Sequence, residues 1–521
     1  MRHHHRRPEI LLKKGIDEFN TVNGELYGQF LRNLYAKKTA QNSDGGATIT
    51  AKERQDIDNK IAQRTTEVKK DIKDFNIGEY KLNVVLDDLY TTKPPSKAEQ
   101  SLFEKIITED GRELYVDKVK LNIIHDKIEL IKSVSPDVDI SFVLLTTGNT
   151  EKLKQEGERE AKNSNYVLPD TSNPETAADF KAITGFVTDE FSAPDPSSPT
   201  EPLVKNWILH NEIDANTTWC DAGQGVKTMD EYMSRYMHQL GLLDNALTNA
   251  SERNGTVKGR PFIPTTRSWT VPHGDSPNFA VRDMLDWIAQ NEQTTGRTID
   301  WGLAYHPYGA SPQSNKNSDD PQHAGPNADH VDASNIWVLM NYLSNNNQYV
   351  DDNGQSRERS VMFAEQGYRS GEIGDSASAW RNGTPPAPDA TDQEILDSAT
   401  DGSIDQAESI LFALTQTVLY PNIEAYHYHR YHDNNAPGED KDKNYGLLDQ
   451  NSDKKLAGYL FEDLDVNLSI ESLFDPSNEI IVSLWAGMGI TNIGSIKTPA
   501  DAAKALNSQF GLQLPVPQAD H

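Results

Sequence analysis

Eight short, nearly unbroken apolar runs, separated by amphipathic stretches, restrict this chain more than any other feature. They span Glu9 to Ile16, Tyr80 to Leu86, Asp139 to Leu145, Lys205 to Glu212, Pro261 to Thr265, Asp300 to His306, Ser360 to Glu365 and Ile423 to His429. Runs of this kind are strands of a parallel sheet buried on both faces, because a strand with one wet face would alternate polar and apolar residues. The stretches between them read as helices. Thr228 and Glu231 form a capping box, and Tyr232, Tyr236, Leu240, Leu243 and Leu247 follow on one helical face. Ser276-Pro277 is expected to open the next helix, with proline at its first position and Met284, Leu285 and Ile288 on its apolar side. Ile336, Leu339, Met340 and Leu343 line another helix, and Ala407, Ile410, Leu411, Leu414 and Val418 line the one before the last run. Eight strands each followed by a helix predict an α/β fold, a (β/α)8 TIM barrel. Two open parallel sheets are the competing architecture.

The expected domains are a disordered basic tip at 1–8, the barrel at 9–468 and a C-terminal extension at 469–521. The segments after the strands are long, notably 87–116, 146–174, 307–331, 366–403 and 430–454. In a barrel these are the loops that build the catalytic face. Ala193 to Pro202 resembles a linker, but regular patterns resume on both sides, so it reads as a loop entering strand four.

Fifty Lys and Arg stand against 79 Asp and Glu, a net charge of −29, which disfavours a nucleic-acid partner. Only one cysteine, Cys220, is present, so neither an intrachain disulfide nor a multi-cysteine metal site can form. It reads as an inert thiol. No run of 18 apolar residues is present, so no membrane insertion is expected. The opening MRHHHRR lacks an apolar segment after it and does not read as a secretory signal. Phosphate-loop, dinucleotide and nucleophile-elbow motifs are all missing.

Two glutamates close apolar runs at equivalent positions: Glu212 after WIL-His210-Asn211 and Glu365 after VMFA. A carboxylate at such a place is costly unless it meets a polar cleft at the strand's exit, where a barrel keeps its catalytic groups. Two carboxylates facing each other across the mouth suit a retaining glycosidase. The competing reading for each is an ordinary salt bridge.

The motifs WILHNEID and FAEQGY resemble those of clan A glycoside hydrolases, which are retaining (β/α)8 enzymes. The segments LNVVLDDLYTTKPPS, WGLAYHPYGA and HYHRYHD are similar to a bacterial branch of that clan known mainly as a domain of unknown function. The likeness runs from about Leu11 to Val466. It implies Glu212 as acid/base and Glu365 as nucleophile, acting on a poly- or oligosaccharide with no cofactor. It implies that Asn211 bonds the hydroxyl beside the anomeric carbon, and that His306 or Tyr308, which share a face of strand six, holds Glu365. It also suggests an extracellular or cell-surface location. The branch often carries Gly where this chain has His210. That difference suggests a crowded or differently charged site and keeps a non-catalytic carbohydrate-binding barrel open.

Other candidates come from position. Arg267 and Trp269 leave strand five, the first expected near Glu365 and the second as a stacking platform for a sugar. His427 and His429 share one face of strand eight and are expected to contact substrate. With His432 and Asp433 they also raise a rival metal-hydrolase reading. Asp433, Asn434, Asn435, Glu439 and Asp440 read as a solvated acidic loop rather than a calcium site. Asp87 and Asp88 are either subsite residues or loop caps.

Overall fold

The computed structural model describes residues 12–17, 21–22, 25–26, 51–148, 152–156, 166–272, 278–295, 298–309, 325–346, 349–350, 355–370, 379–433, 444–449, 452–514 and 516. The N-terminal tip, Ser276-Pro277, Ala310 and the acidic stretch from Asn434 to Asp440 lie outside them.

The eight runs form a closed parallel barrel, which excludes two open sheets. Its strands are β1 (Lys13–Asp17), β2 (Glu79–Val85), β3 (Asp139–Leu145), β4 (Asn206–Leu209), β5 (Arg260–Thr265), β6 (Gly302–Tyr305), β7 (Val361–Gln366) and β8 (Ile423–His429). Each strand pairs with its sequence neighbour, and β1 closes the ring against both β2 and β8. The main helices after the strands are Ala51–Phe75, Lys118–Val134, Pro174–Phe191, Met229–Asn254, Val281–Thr295, Trp337–Asn346, Asp401–Val418 and Leu456–Asp463. Met229–Asn254 starts with the expected capping box. The Glu231 amide donates to the Thr228 hydroxyl at 3.2 Å, and the Thr228 amide donates to the Glu231 carboxylate at 3.0 Å. The helix expected to open at Ser276-Pro277 instead begins at Val281.

Two segments differ from the expected plain loops. Part of 87–116 folds into an antiparallel sheet of Tyr90–Thr91, Phe103–Ile107 and Glu113–Asp117. Leu114 and Val116 are buried there while Lys105 and Glu113, on the other face, meet water, so one face of a short sheet packs on the barrel. Within 193–202, Pro194–Asp195 and Ser198–Pro202 pair as a hairpin. After the barrel, Ile470–Leu473, Glu479–Gly487 and Pro499–Phe510 pack against Asp401–Val418. Their Leu473, Trp485 and Leu506 join the apolar cluster that lies between barrel and helices. Among the described residues no helix is long and apolar enough to cross a membrane.

The barrel interior is layered, as inward side chains of successive strands must be. At the base Glu79 is buried and accepts hydrogen bonds from the Ser141 hydroxyl and, at 2.9 Å, the Asn206 amide. Burial pushes its carboxyl above the usual range. Above it Val143, Leu145, Ile208, Phe262, Ala304, Met362, Ala364 and Ala425 form an apolar plug. This plug is the floor of the mouth. Gly302 makes room for it, because a Cβ there would lie 2.2 Å from the Phe262 ring. Gly302→Ala is expected to lower stability by about 1–3 kcal/mol through overpacking. A urea unfolding curve that matches the parent's would contradict this account of the plug.

Candidate functional site

The strand ends at the C-terminal face depart from regular geometry, and the departures decide which side chains enter the mouth. In β4 Ile208 points inward while Trp207 and Leu209 point to the helices. Strict alternation would turn His210 inward as well. His210 instead adopts φ +68°, a left-handed conformation that non-glycine residues rarely take. Its ring is buried against the helical layer, with Nε2 2.7 Å from Gln239 Oε1 on Met229–Asn254. Glu212 also has positive φ, +38°, and lines the cavity together with Asn211. In β7 Met362 and Ala364 face inward, so alternation would point Glu365 outward. The pairing register slips between Phe363 and Gln366, and Glu365 is delivered to the mouth. Such bulges re-aim side chains.

The resulting cavity has a volume of about 340 Å³ and is lined by Asn211, Glu212, Arg267, His306, Tyr308, Glu365 and His429 from the sequence-based candidates. At its centre His306 Nδ1 lies 2.9 Å from Glu212 Oε1 and 3.7 Å from Glu365 Oε2. The Tyr308 hydroxyl donates to Glu365 Oε1 at 2.6 Å, and His429 Nδ1 lies 3.7 Å from the same oxygen. The Glu212 and Glu365 side chains are 12% and 22% exposed, so both carboxylates are shielded yet reachable. Burial disfavours charge on His306, but Glu365 and then Glu212 outweigh it, and the imidazole pKa lies above its usual value. The attraction of this ring to both carboxylates offsets part of the cost of placing two acids in one small cavity.

A further carboxyl fixes the loop that carries Glu212. Asp214 is fully buried and accepts hydrogen bonds from the Thr266 amide at 2.8 Å and from its hydroxyl, tying the exit of β4 to that of β5. Burial pushes its pKa up to about 7.

Two candidates do not reach the cavity. Trp269 is 1% exposed, its indole donates to the Pro326 carbonyl at 3.1 Å and its ring meets Tyr342 edge-on, so it packs the rim. His427 shares a face with His429 but lies two residues lower on β8, about 6–7 Å down the barrel. There it is wholly buried, 3.7 Å from Glu79 at the base. His432 turns to Asp71 and Asp433 to Lys455, so these two do not converge with His427 and His429. Among the described residues no cluster of three or more His, Cys, Asp or Glu is placed to hold a metal. Asp87 caps the turn at Thr147 and Gly148, and Asp88 pairs with Lys120. Cys220 is buried, and burial pushes its thiol up to about 12.

Seven polar or aromatic lining residues were not singled out from the sequence: Lys81, Asn83, Tyr166, Trp219, Thr266, Arg430 and Tyr445. Lys81 and Asn83 had a signal, being polar residues at alternate positions in the apolar run YKLNVVL. Trp219 and Tyr166 sit on loops with ring centroids 6.2 Å apart. They give the cavity aromatic lining, which Trp269 does not.

The expectation of a crowded or differently charged site at His210 is corrected by its outward turn. Burial pushes its pKa down to about 4, so the ring is neutral. In the unfolded chain it titrates near 6.5, and the folded state therefore binds fewer protons between those values. Stability is full above about pH 6.5 and declines toward pH 4, by up to about 3 kcal/mol from this residue. His210→Gly is expected to flatten the acid-side decline by about 2–3 kcal/mol in unfolding curves taken at pH 7.5 and 4.5. An equal decline in both proteins would contradict it.

No curated protein matches the sequence. Solved structures that match this chain include a family 39 glycoside hydrolase from the gut symbiont Bacteroides cellulosilyticus WH2, at 13% identity and TM-score 0.44 over 77% of this chain. The match spans 60% of that protein's length. Penicillium canescens endo-1,4-beta-xylanase matches at 12% identity and TM-score 0.40, over 86% of this chain and 99% of the other. A family 5 xyloglucanase from Paenibacillus pabuli matches at 9% identity and TM-score 0.41, over 89% and 99%. At family level, residues 54–380 match a family of unknown function, DUF5722, and the chain belongs to it.

Proposed function

We propose that the protein is a retaining glycoside hydrolase acting on a poly- or oligosaccharide, with Glu365 as nucleophile and Glu212 as acid/base. The observation that carries this reading is the single imidazole nitrogen of His306 in reach of both carboxylates. The 2.9 and 3.7 Å contacts laid end to end cap the separation of the two nearest oxygens at about 6.6 Å. That limit admits the ~5–5.5 Å at which retaining enzymes hold their carboxyl groups.

In the first step a Glu365 oxygen bonds to the anomeric carbon as the glycosidic C–O bond breaks. The proton on Glu212 passes to the leaving oxygen. In the second step water attacks the same carbon, Glu212 takes its proton and the glycosyl–Glu365 ester bond breaks. Tyr308 holds Glu365 through its hydrogen bond, which fixes the angle of attack. His306 sits against Glu212 Oε1 and orients the carboxyl that gives and takes the proton. Asn211 lines the cavity beside the acid, where it can bond the hydroxyl next to the anomeric carbon. Tyr166 and Trp219 offer apolar surface to a sugar ring.

A panel of aryl glycosides and polysaccharides provides the test. Glu365→Ala and Glu212→Ala are each expected to lower kcat on the responsive substrate by at least about 1,000-fold. Proton NMR of the first-formed product is expected to show the anomeric configuration of the substrate. Activity that survives both substitutions, or an inverted product, would overturn the assignment.

A further inference from the structure

The charge of the cavity points to the kind of sugar it takes. Besides its two carboxylates the lining carries Lys81, Arg267 and Arg430. In a chain with a net charge of −29, three such cations around one small cavity are not a reflection of composition. When Glu212 holds its proton as the acid, they face one anion, Glu365, among the described lining residues. A retaining reaction builds positive charge on the sugar ring in its transition state. Uncompensated cations around that ring would raise the barrier, so a lining of this sign suits a substrate that brings its own negative charge.

The three cations differ in their commitments. The Lys81 ammonium is buried and donates to the Ala364 carbonyl at 2.6 Å. Arg430 Nε donates to His429 Nε2 at 2.8 Å. Arg267 is half-buried on the loop after β5, and among the described residues its guanidinium enters no ion pair. A guanidinium is a planar fork that matches the paired oxygens of a carboxylate or a sulfate.

We propose that the sugar held in this cavity bears an anionic group, a carboxylate or a sulfate, and that Arg267 is the residue that selects it. The inference rests on the glycosidase reading for its turnover assay but not for its binding assay. Matched pairs of 4-nitrophenyl glycosides serve as probes: glucuronide with glucoside, galacturonide with galactoside, and 6-sulfated with unsulfated galactoside. The 521-residue chain is expected to favour the charged member of at least one pair, and the pair that responds tells carboxylate from sulfate. In Arg267→Gln the charged-to-neutral ratio of kcat/KM is expected to fall on the order of 100-fold, with Arg267→Lys in between. Calorimetric titration with free glucuronate, galacturonate and galactose 6-sulfate, against glucose and galactose, reads the same selectivity without turnover. Charge-selective binding that Arg267→Gln abolishes, with no hydrolysis of any probe, would support the anion site while removing the glycosidase reading. Hydrolysis that depends on Glu365 but favours neutral sugars would overturn the anion site alone. A ratio unchanged in Arg267→Gln, or no binding of any charged sugar, would also overturn it.

Discussion

Two carboxylates and one imidazole occupy the same few ångströms at the mouth of the barrel, and the rest of the site is organised around the cost of holding them there. Like charges this close repel, and burial adds to the cost. His306 offsets both by facing Glu212 and Glu365 with one nitrogen, and their pull raises its pKa despite the buried setting. Tyr308 and His429 take up the remaining side of Glu365. The apolar plug beneath keeps this polar layer at the rim, so the charges meet water and substrate from one direction only.

The backbone supports that arrangement by breaking local rules at two strand ends. The positive φ of His210 and Glu212 and the register slip before Gln366 are departures that packing elsewhere must stabilise. They cluster where chemistry is expected, a pattern common to functional sites. Burying Asp214 between the exits of β4 and β5 fits the same logic, since it anchors the loop that presents Glu212.

Much of this was legible in the chain itself. Apolar runs of five to eight residues could only be strands buried on both faces, and their number and spacing gave the barrel. Glu212 and Glu365 were conspicuous because a carboxylate closing an apolar run needs a reason to be there. His306 and Tyr308 followed from their shared parity on β6. What resisted reading was direction and depth. Period-two reasoning cannot see a left-handed residue, so His210 was expected in the cavity and is not. Parity also says nothing about height, which is why His427 was grouped with His429 although it belongs to the base. Loop aromatics such as Trp219 and Tyr445 carry no periodic signal, and only the folded chain brings them to the rim.

The most direct test of the shared two-carboxylate site is to trap the intermediate. A 2-deoxy-2-fluoro glycoside of a substrate sugar slows the second step more than the first, so a retaining enzyme accumulates its covalent ester. Peptide mapping by mass spectrometry should then find the adduct on Glu365, and in greater yield when Glu212 is replaced by Ala. An adduct on a different side chain, or turnover of the probe with no covalent species at any time, would contradict the role given to Glu365.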